Sequence, residues 1–289
     1  MTAIDKKIDF VMFFTVNGAN PNGDPLNENM PRTDYEGFGE ISDVCIKRKI
    51  RNRMQDMEKA IFVQTNDRID DGLKSLEDRF EVFFSRDTKK DPDNKIHQVS
   101  CEKWLDVRSF GQVMTFLGRS VGIRGPVSIT LAKSLSPIDV ISMQITRSTN
   151  GMKAKEGKER SSDTMGTKHF IEFGVYQVKG SINCYFAEKT GFTSEDAEVI
   201  QEALKTLFVN DSSSARPEGS MEVKELYWFT HPSKTGVASS AKIHDLVEVK
   251  LIDDSKKPAK YEDYKIGLKK EKLVALEDKG LQVERIEGL

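Results

Sequence analysis

Apolar residues along this chain fall into a few dense blocks separated by long polar stretches. The first block, residues 8–16, reads IDFVMFFTV, with Phe10, Met12 and Phe14 on one face of an extended chain and Val11 and Phe13 on the other. Apolar character on both faces predicts a central strand buried on each side. Residues 17–39 are dense in Asn, Gly and Pro, which supply turns and sustain neither helix nor strand. A loop of that length inside a compact domain is usually functional. Ser42 or Asp43 then caps a predicted helix to about Met57, on which Ile46, Ile50, Met54 and Met57 form one apolar stripe. At about 100° per residue, Lys47 flanks this stripe while Arg48 and Arg51 point away, leaving a cationic ridge expected to face outward.

Residues 59–103 are charged and weakly periodic, and read as an insertion with its own helices. Residues 104–118 look like a return to the main body, and residues 122–131 like a strand entered through a Gly-Pro bend. A second excursion begins over residues 138–146 and crosses a basic, Gly- and Ser-rich stretch before a strand over residues 169–179. Thr193 and Asp196 open a second amphipathic helix to about Val209, with Ala197, Ile200, Leu204, Leu207 and Phe208 on its buried side. The turn-rich NDSSSARPEGS precedes a strand over residues 222–229. Without its excursions the order is strand, helix, strand, strand, helix, strand, the split βαβ arrangement of α+β ferredoxin-like and RNA-recognition folds. The aromatic signature that stacks bases on an open sheet in such folds is absent from the sequence.

Composition narrows the function classes. With 37% hydrophobic and 31% charged residues over 289 positions, the chain reads as one large globular domain with insertions. No apolar run approaches the roughly 18 residues of a membrane helix, and no export signal is evident, so a cytoplasmic location is expected. Cys45, Cys101 and Cys184 form no CxxC, and the four histidines lack metal-ligand spacing. No metal or other cofactor is expected. Net charge is −2, yet positive charge concentrates at residues 47–53 and 153–168, which permits a locally basic groove.

The segment NPNGDPLNENMPRTDYEGFGEISDVCIKRKIRNRM resembles the backbone subunit of the CRISPR Cascade complex, the Cas-seven family, in its type I-C form. DVRSFGQVM, IRGPVSI, TMGTKHFIEFGVY and AEKTGF extend the resemblance over most of the chain. It implies a modified RNA-recognition palm over residues 1–58, 104–146 and 169–289, a finger insertion at 59–103 and a thumb hairpin at 147–168. It implies a non-catalytic subunit that stacks with copies of itself along CRISPR RNA and presents the spacer to target DNA. Partners would include the large subunit, the small subunit and the Cas-five end-capping or processing subunit.

Lys47, Arg48 and Arg51 on the first helix are candidates to track phosphates, whereas Lys49 and Arg53 are read as covering the stripe's edge with their methylenes. Asn20, Asn22, Gly23 and Arg32 lie in the loop before that helix, where backbone N–H groups and a guanidinium can meet phosphate. In the thumb, Lys153, Lys155, Lys158, Arg160 and Lys168 are candidate RNA contacts, and Met165 a candidate wedge between bases. Ser213, Ser214 and Arg216 offer donors to the RNA backbone. Asp106 and Arg108 are read as a structural ion pair. The rival reading is a metal-dependent RNase of the type III backbone kind, using a loop aspartate, Asp24 or Asp34.

Overall fold

Strand β1 (Ile8–Ala19) is buried over its first nine residues and lies at the centre of an eight-stranded antiparallel sheet. The computed structural model describes residues 2–87, 89–146 and 165–289. The sheet is built further from β2 (Phe38–Ile41), β3 (Ala132–Pro137), β4 (Val140–Thr146), β5 (Met165–Ile182), β6 (Met221–Thr230) and β7 (Gln282–Glu287), in the order β7-β6-β1-β5-β3-β2. Strand β4 and the short Val127–Ile129 strand pair with β5 off this path. Alternating side chains of β1 therefore serve two separate cores, as its sequence requires.

One core packs Phe10, Met12, Phe14 and Val16 against helix α1 (Asp43–Asp56), through Ile46, Ile50 and Met54, and against helix α2 (Ser194–Lys205), through Ala197, Ile200 and Leu204. Each of these side chains other than Ala197 contributes roughly 1.5–3 kcal/mol when fully buried. Thr193 and Asp196 close a reciprocal capping box at the start of α2, as their spacing predicts. The other face of β1 carries Val11 and Phe13, which pack with Tyr227, Phe229, Ile243, Leu246, Leu273 and Leu281. Residues after β6 thus cover this face of the sheet.

A second unit has its own core of Phe62, Phe80, Phe84, Ile96, Trp104, Val107, Met114 and Ile123. It reaches past residue 103, the expected end of the insertion. Residues 104–110 serve both cores, since Trp104 and Val107 point into the second while Leu105 lies in the first. The strand expected over 122–131 is split. Val121–Arg124 joins a two-stranded ribbon with Gly111–Met114, and only Val127–Ile129 enters the main sheet. The break falls at Gly125–Pro126, where a Cβ on Gly125 would sit 2.3 Å from the Ser109 carbonyl oxygen and Pro126 has no N–H to donate. Among the described residues no helix is long and apolar enough to cross a membrane.

Candidate nucleic-acid interface

The start of α1 is where three sequence segments meet. Ser42 caps the helix by accepting a hydrogen bond from the Cys45 N–H at 3.2 Å, and its own N–H donates to Asn22 Oδ1 at 2.9 Å. Asn22 therefore fixes the Asn- and Gly-rich loop to the helix cap. The Asn20 N–H donates to the Ala215 carbonyl at 2.9 Å, which brings the loop around residues 211–216 to the same place, and Asn20 Nδ2 donates to the Asn29 carbonyl at 2.7 Å. Arg32 returns beside them, its N–H donating to the Asn22 carbonyl at 3.3 Å.

The charges gathered here are Arg32, Lys47, Lys49 and Arg216, set against Asp24, Asp43 and Asp211. Arg32 Nη2 lies 3.2 Å from Asp24 Oδ1, and Arg216 Nε lies 3.2 Å from Asp211 Oδ2, with both arginines partly exposed. Lys47 pairs with Asp43 at 2.9 Å along the helix. Exposed or half-exposed pairs of this sort are worth at most about 1 kcal/mol, so a phosphate oxygen can replace the carboxylate at little cost. Lys49 is different. It is buried, it pairs with Asp211 and it lies over the Phe208 ring at 5.6 Å; burial lowers its pKa. Burial also pushes the Cys45 thiol up, despite Lys49, Arg216 and Arg32 within electrostatic reach.

Ser213 and Arg216 exchange backbone hydrogen bonds across a tight turn, 2.8 Å from the Ser213 N–H and 3.1 Å from the Arg216 N–H. The turn leaves Ser213 and Ser214 exposed. Asn22, Arg32, Lys47, Ser213, Ser214 and Arg216 thus form one surface around a helix N-terminus, whose free N–H groups and dipole favour anions, whereas Asn20, expected to contact RNA, is buried beneath it with its N–H and Nδ2 both donating within the protein.

Residues 6–269 match the family described as CRISPR-associated protein Cas7. The chain belongs to that family. A curated relative, CRISPR-associated protein Cas7 of Haloferax volcanii, is 25% identical over 232 residues, which span 74% of this Cas7-family chain and 67% of the relative. Two solved structures are similar at lower identity. A chain of a pre-nicking CRISPR RNA-guided surveillance complex shares 15% identity at a TM-score of 0.49, covering 77% of this chain and 78% of that one. A chain of another CRISPR RNA-guided surveillance complex shares 14% at 0.44, covering 77% and 68%.

Two expected contacts of this Cas7-family chain are corrected by the geometry. Arg48 and Arg51 do not form an outward ridge, because the second unit lies over that side of α1. Arg48 donates to Asn52 Oδ1 at 2.9 Å and to the Val63 carbonyl. Burial, with Arg51 alongside, lowers its guanidinium to about 10. Arg51 Nε donates to Asp106 Oδ2 at 2.9 Å, and its guanidinium lies 5.0 Å from the centre of the Phe110 ring. Asp106 and Arg108 are likewise not partners of each other, since Arg108 forms a two-point pair with Asp196, both contacts at 2.8 Å.

The expected thumb residues Lys153, Lys155, Lys158 and Arg160 lie outside the described residues. Met165 is exposed at the start of β5, with its sulfur 3.0 Å from Gln144 Nε2. Lys168 is half-buried opposite Met143 in the β4–β5 ribbon.

Asp24 and Asp34, the rival reading's candidates, each organise a turn. Asp24 accepts from the Leu26 N–H and from Arg32, at 3.2 Å each. Asp34 Oδ1 accepts from the Glu36 and Phe38 N–H groups at 2.9 Å each, while Oδ2 pairs with Lys133 at 2.7 Å. The Lys133 ammonium, opposed by slight burial, holds the Asp34 carboxyl below its ordinary range. Among the described residues no three His, Cys, Asp or Glu side chains gather as a metal site.

Asp211 belongs to this site although no local pattern in the sequence marks it. A lysine three residues after Ile46 falls on the buried face of α1, and that position requires a carboxylate from elsewhere in the fold. Lys49 was therefore the available signal.

Proposed function

We propose that this chain is the non-catalytic CRISPR RNA-binding backbone subunit of a Cascade complex of the type I-C form, working in the cytoplasm. The observation that carries this reading is the convergence of Asn22, Arg32, Lys47 and Arg216 on the capped start of α1, with buried Asn20 tying the two loops together beneath them. Donors and cations there suit successive phosphates of a single strand and read no base edges. The sheet order supports a palm of the RNA-recognition kind: the strands expected as fourth, first and third lie side by side as β6, β1 and β5, Val127–Ile129 from the expected second strand pairs with β5, and α1 and α2 lie on one face. The second unit is the finger insertion, and the β4–β5 ribbon leads into the thumb at residues 147–168, where the basic residues contact the RNA and Met165 wedges between bases.

Copies of the chain stack along the guide, and its spacer pairs with target DNA, so that sequence readout rests on base pairing. The large, small and Cas-five subunits complete the particle. Asp24 and Asp34 serve as turn builders in this reading, which leaves the RNase alternative without a free carboxylate. The test is to purify the chain from cells expressing a CRISPR array. RNA of repeat-plus-spacer length in a repeating assembly is the expected result, lost in the Arg32→Ala, Arg216→Ala double variant. Protein free of RNA, or matched RNA cut with divalent metal in a manner that Asp34→Ala abolishes, overturns the reading.

A further inference from the structure

Leu26 and Tyr35 are 97% and 109% exposed, the two most exposed large apolar side chains among the described residues. A lone exposed apolar residue requires no explanation. These two stand on either side of Arg32, each at the tip of a turn that an aspartate fixes. Asp24 accepts from the N–H of Leu26 through its side chain, and from the N–H groups of Asn27 and Asn29 through its carbonyl at 3.0 and 2.8 Å. Around Tyr35, the Asp34 carboxylate takes the N–H groups of Glu36 and Phe38, and its carbonyl takes the Gly37 N–H at 3.2 Å. Gly37, at φ +83°, supplies the left-handed residue that lets the turn close. Lys133 anchors Asp34 to β3 from the far side.

Three hydrogen bonds to Asp34 and its pairing with Lys133 thus fix the backbone that presents the fully exposed Tyr35 ring. A rigid backbone presenting a bare aromatic has lost its conformational freedom in advance, so little ordering cost remains when a flat partner arrives. Tyr35 lies three residues from Arg32, which at about 3.3 Å per extended residue keeps their Cα atoms within roughly 10 Å of each other, so a strand held by Arg32 passes near the ring. We propose that Tyr35 is a stacking platform for an unpaired base of the bound RNA, an inference that rests on the phosphate interface described above. Stacking engages the base's π-face and leaves its pairing edge free, which is compatible with a guide whose letters are read by another strand.

The test compares the full chain and its variants on oligoadenylate and on an abasic ribose-phosphate strand of equal length. Tyr35→Ala is expected to weaken oligoadenylate binding about 5- to 150-fold and to leave abasic binding unchanged, with Tyr35→Phe close to the parent protein. In a Tyr35→Trp variant, oligoadenylate is expected to quench the new emission, which stands apart from that of Trp104 and Trp228 because both are buried. Equal losses on both strands overturn the proposal, as does an effect confined to self-association of RNA-free protein, which would assign Tyr35 to a contact between copies. Arg32→Ala separates the two levels of failure. If it weakens binding to both strands while Tyr35→Ala weakens neither, the phosphate interface stands and the stacking platform falls.

Discussion

Arg51 on α1 and Asp106 on the segment shared by the two cores meet in a closed space, with Nε 2.9 Å from Oδ2 and the carboxylate fully buried. The same carboxylate accepts the N–H groups of Phe62 at 2.8 Å and Val63 at 3.1 Å, just where the chain passes from α1 into the second unit. Asp106 therefore ties three strands of covalent connection together. Asp106→Ala leaves a buried guanidinium and two buried N–H groups without an acceptor, and is expected to cost about 3–5 kcal/mol, read as a lower midpoint in denaturant. Arg51→Ala is expected to lower stability while leaving the affinity of the folded fraction for single-stranded RNA unchanged. A large loss of RNA affinity with unaltered stability would restore Arg51 to the nucleic-acid surface.

Lys49 and Asp211 make a second buried pair, and their two ends are not equivalent. Asp211 also holds Arg216 and is slightly exposed, so it keeps a partner when Lys49 is removed. Lys49 is buried with its ammonium 5.6 Å from the centre of the Phe208 ring. Lys49→Met keeps the buried position filled and removes the charge, with an expected change below about 1.5 kcal/mol. Asp211→Ala strands a buried ammonium and is expected to cost about 3–5 kcal/mol. Chemical denaturation of both variants checks the order, and the reverse order would refute the asymmetry.

Much of this architecture was legible in the pattern of residues. The two-faced run of β1, the stripe of Ile46, Ile50 and Met54, and the Thr193–Asp196 cap each follow from local periodicity, and each stands where it was expected. The fate of Arg48 and Arg51 was not legible. Periodicity gives the side of a helix that must be buried, but it does not tell whether another part of the chain returns to cover the opposite side. Here the second unit does so, bringing Asp106 and the Val63 carbonyl to the two arginines. The grouping of Asn20 with the Ala215 region was equally hidden, since it is a contact between segments far apart in sequence. Their compositions suggested RNA contact separately, and only the fold makes them one surface.

Salt dependence distinguishes the cations at the helix start from those beneath the second unit. Each phosphate contact removed from a single strand lowers the log–log slope of affinity against salt by about 0.7. Arg32→Ala and Arg216→Ala are each expected to show that decrease, equally on unrelated spacer sequences. Arg48→Ala is expected to leave the slope unchanged, because its guanidinium is bound to Asn52 and Val63. Titration by fluorescence anisotropy at several salt concentrations measures all three, and losses that vary with spacer sequence would contradict backbone-only contact.

Acid should loosen the covered face of the sheet before it affects the helical face. His244 Nε2 donates to the Gly180 carbonyl at 3.0 Å and lies 4.0 Å from Asp9 Oδ1. Burial depresses its pKa from the ordinary 6.5; the Gly180 carbonyl and Asp9 oppose that shift, whereas Lys179 and Lys7 add to it. The folded state therefore binds this proton less readily than the unfolded chain. The stability it preserves is fully present above pH 6.5 and declines as pH falls from there to the folded value, with a slope of at most about 1.4 kcal/mol per pH unit. Asp9 adds a second loss further down. Burial alone would raise its pKa, but hydrogen bonds from His231, Ser240 and Lys7 bring it below 3.8, so its contribution is intact above 3.8 and is lost as pH falls through the folded value. His244→Gln can keep the bond to Gly180 while removing the titration, and is expected to flatten the first decline and spare the second. Thermal unfolding midpoints measured from pH 8 down to about pH 3 test this, and an unchanged slope just below pH 6.5 in the variant would show that another group governs it.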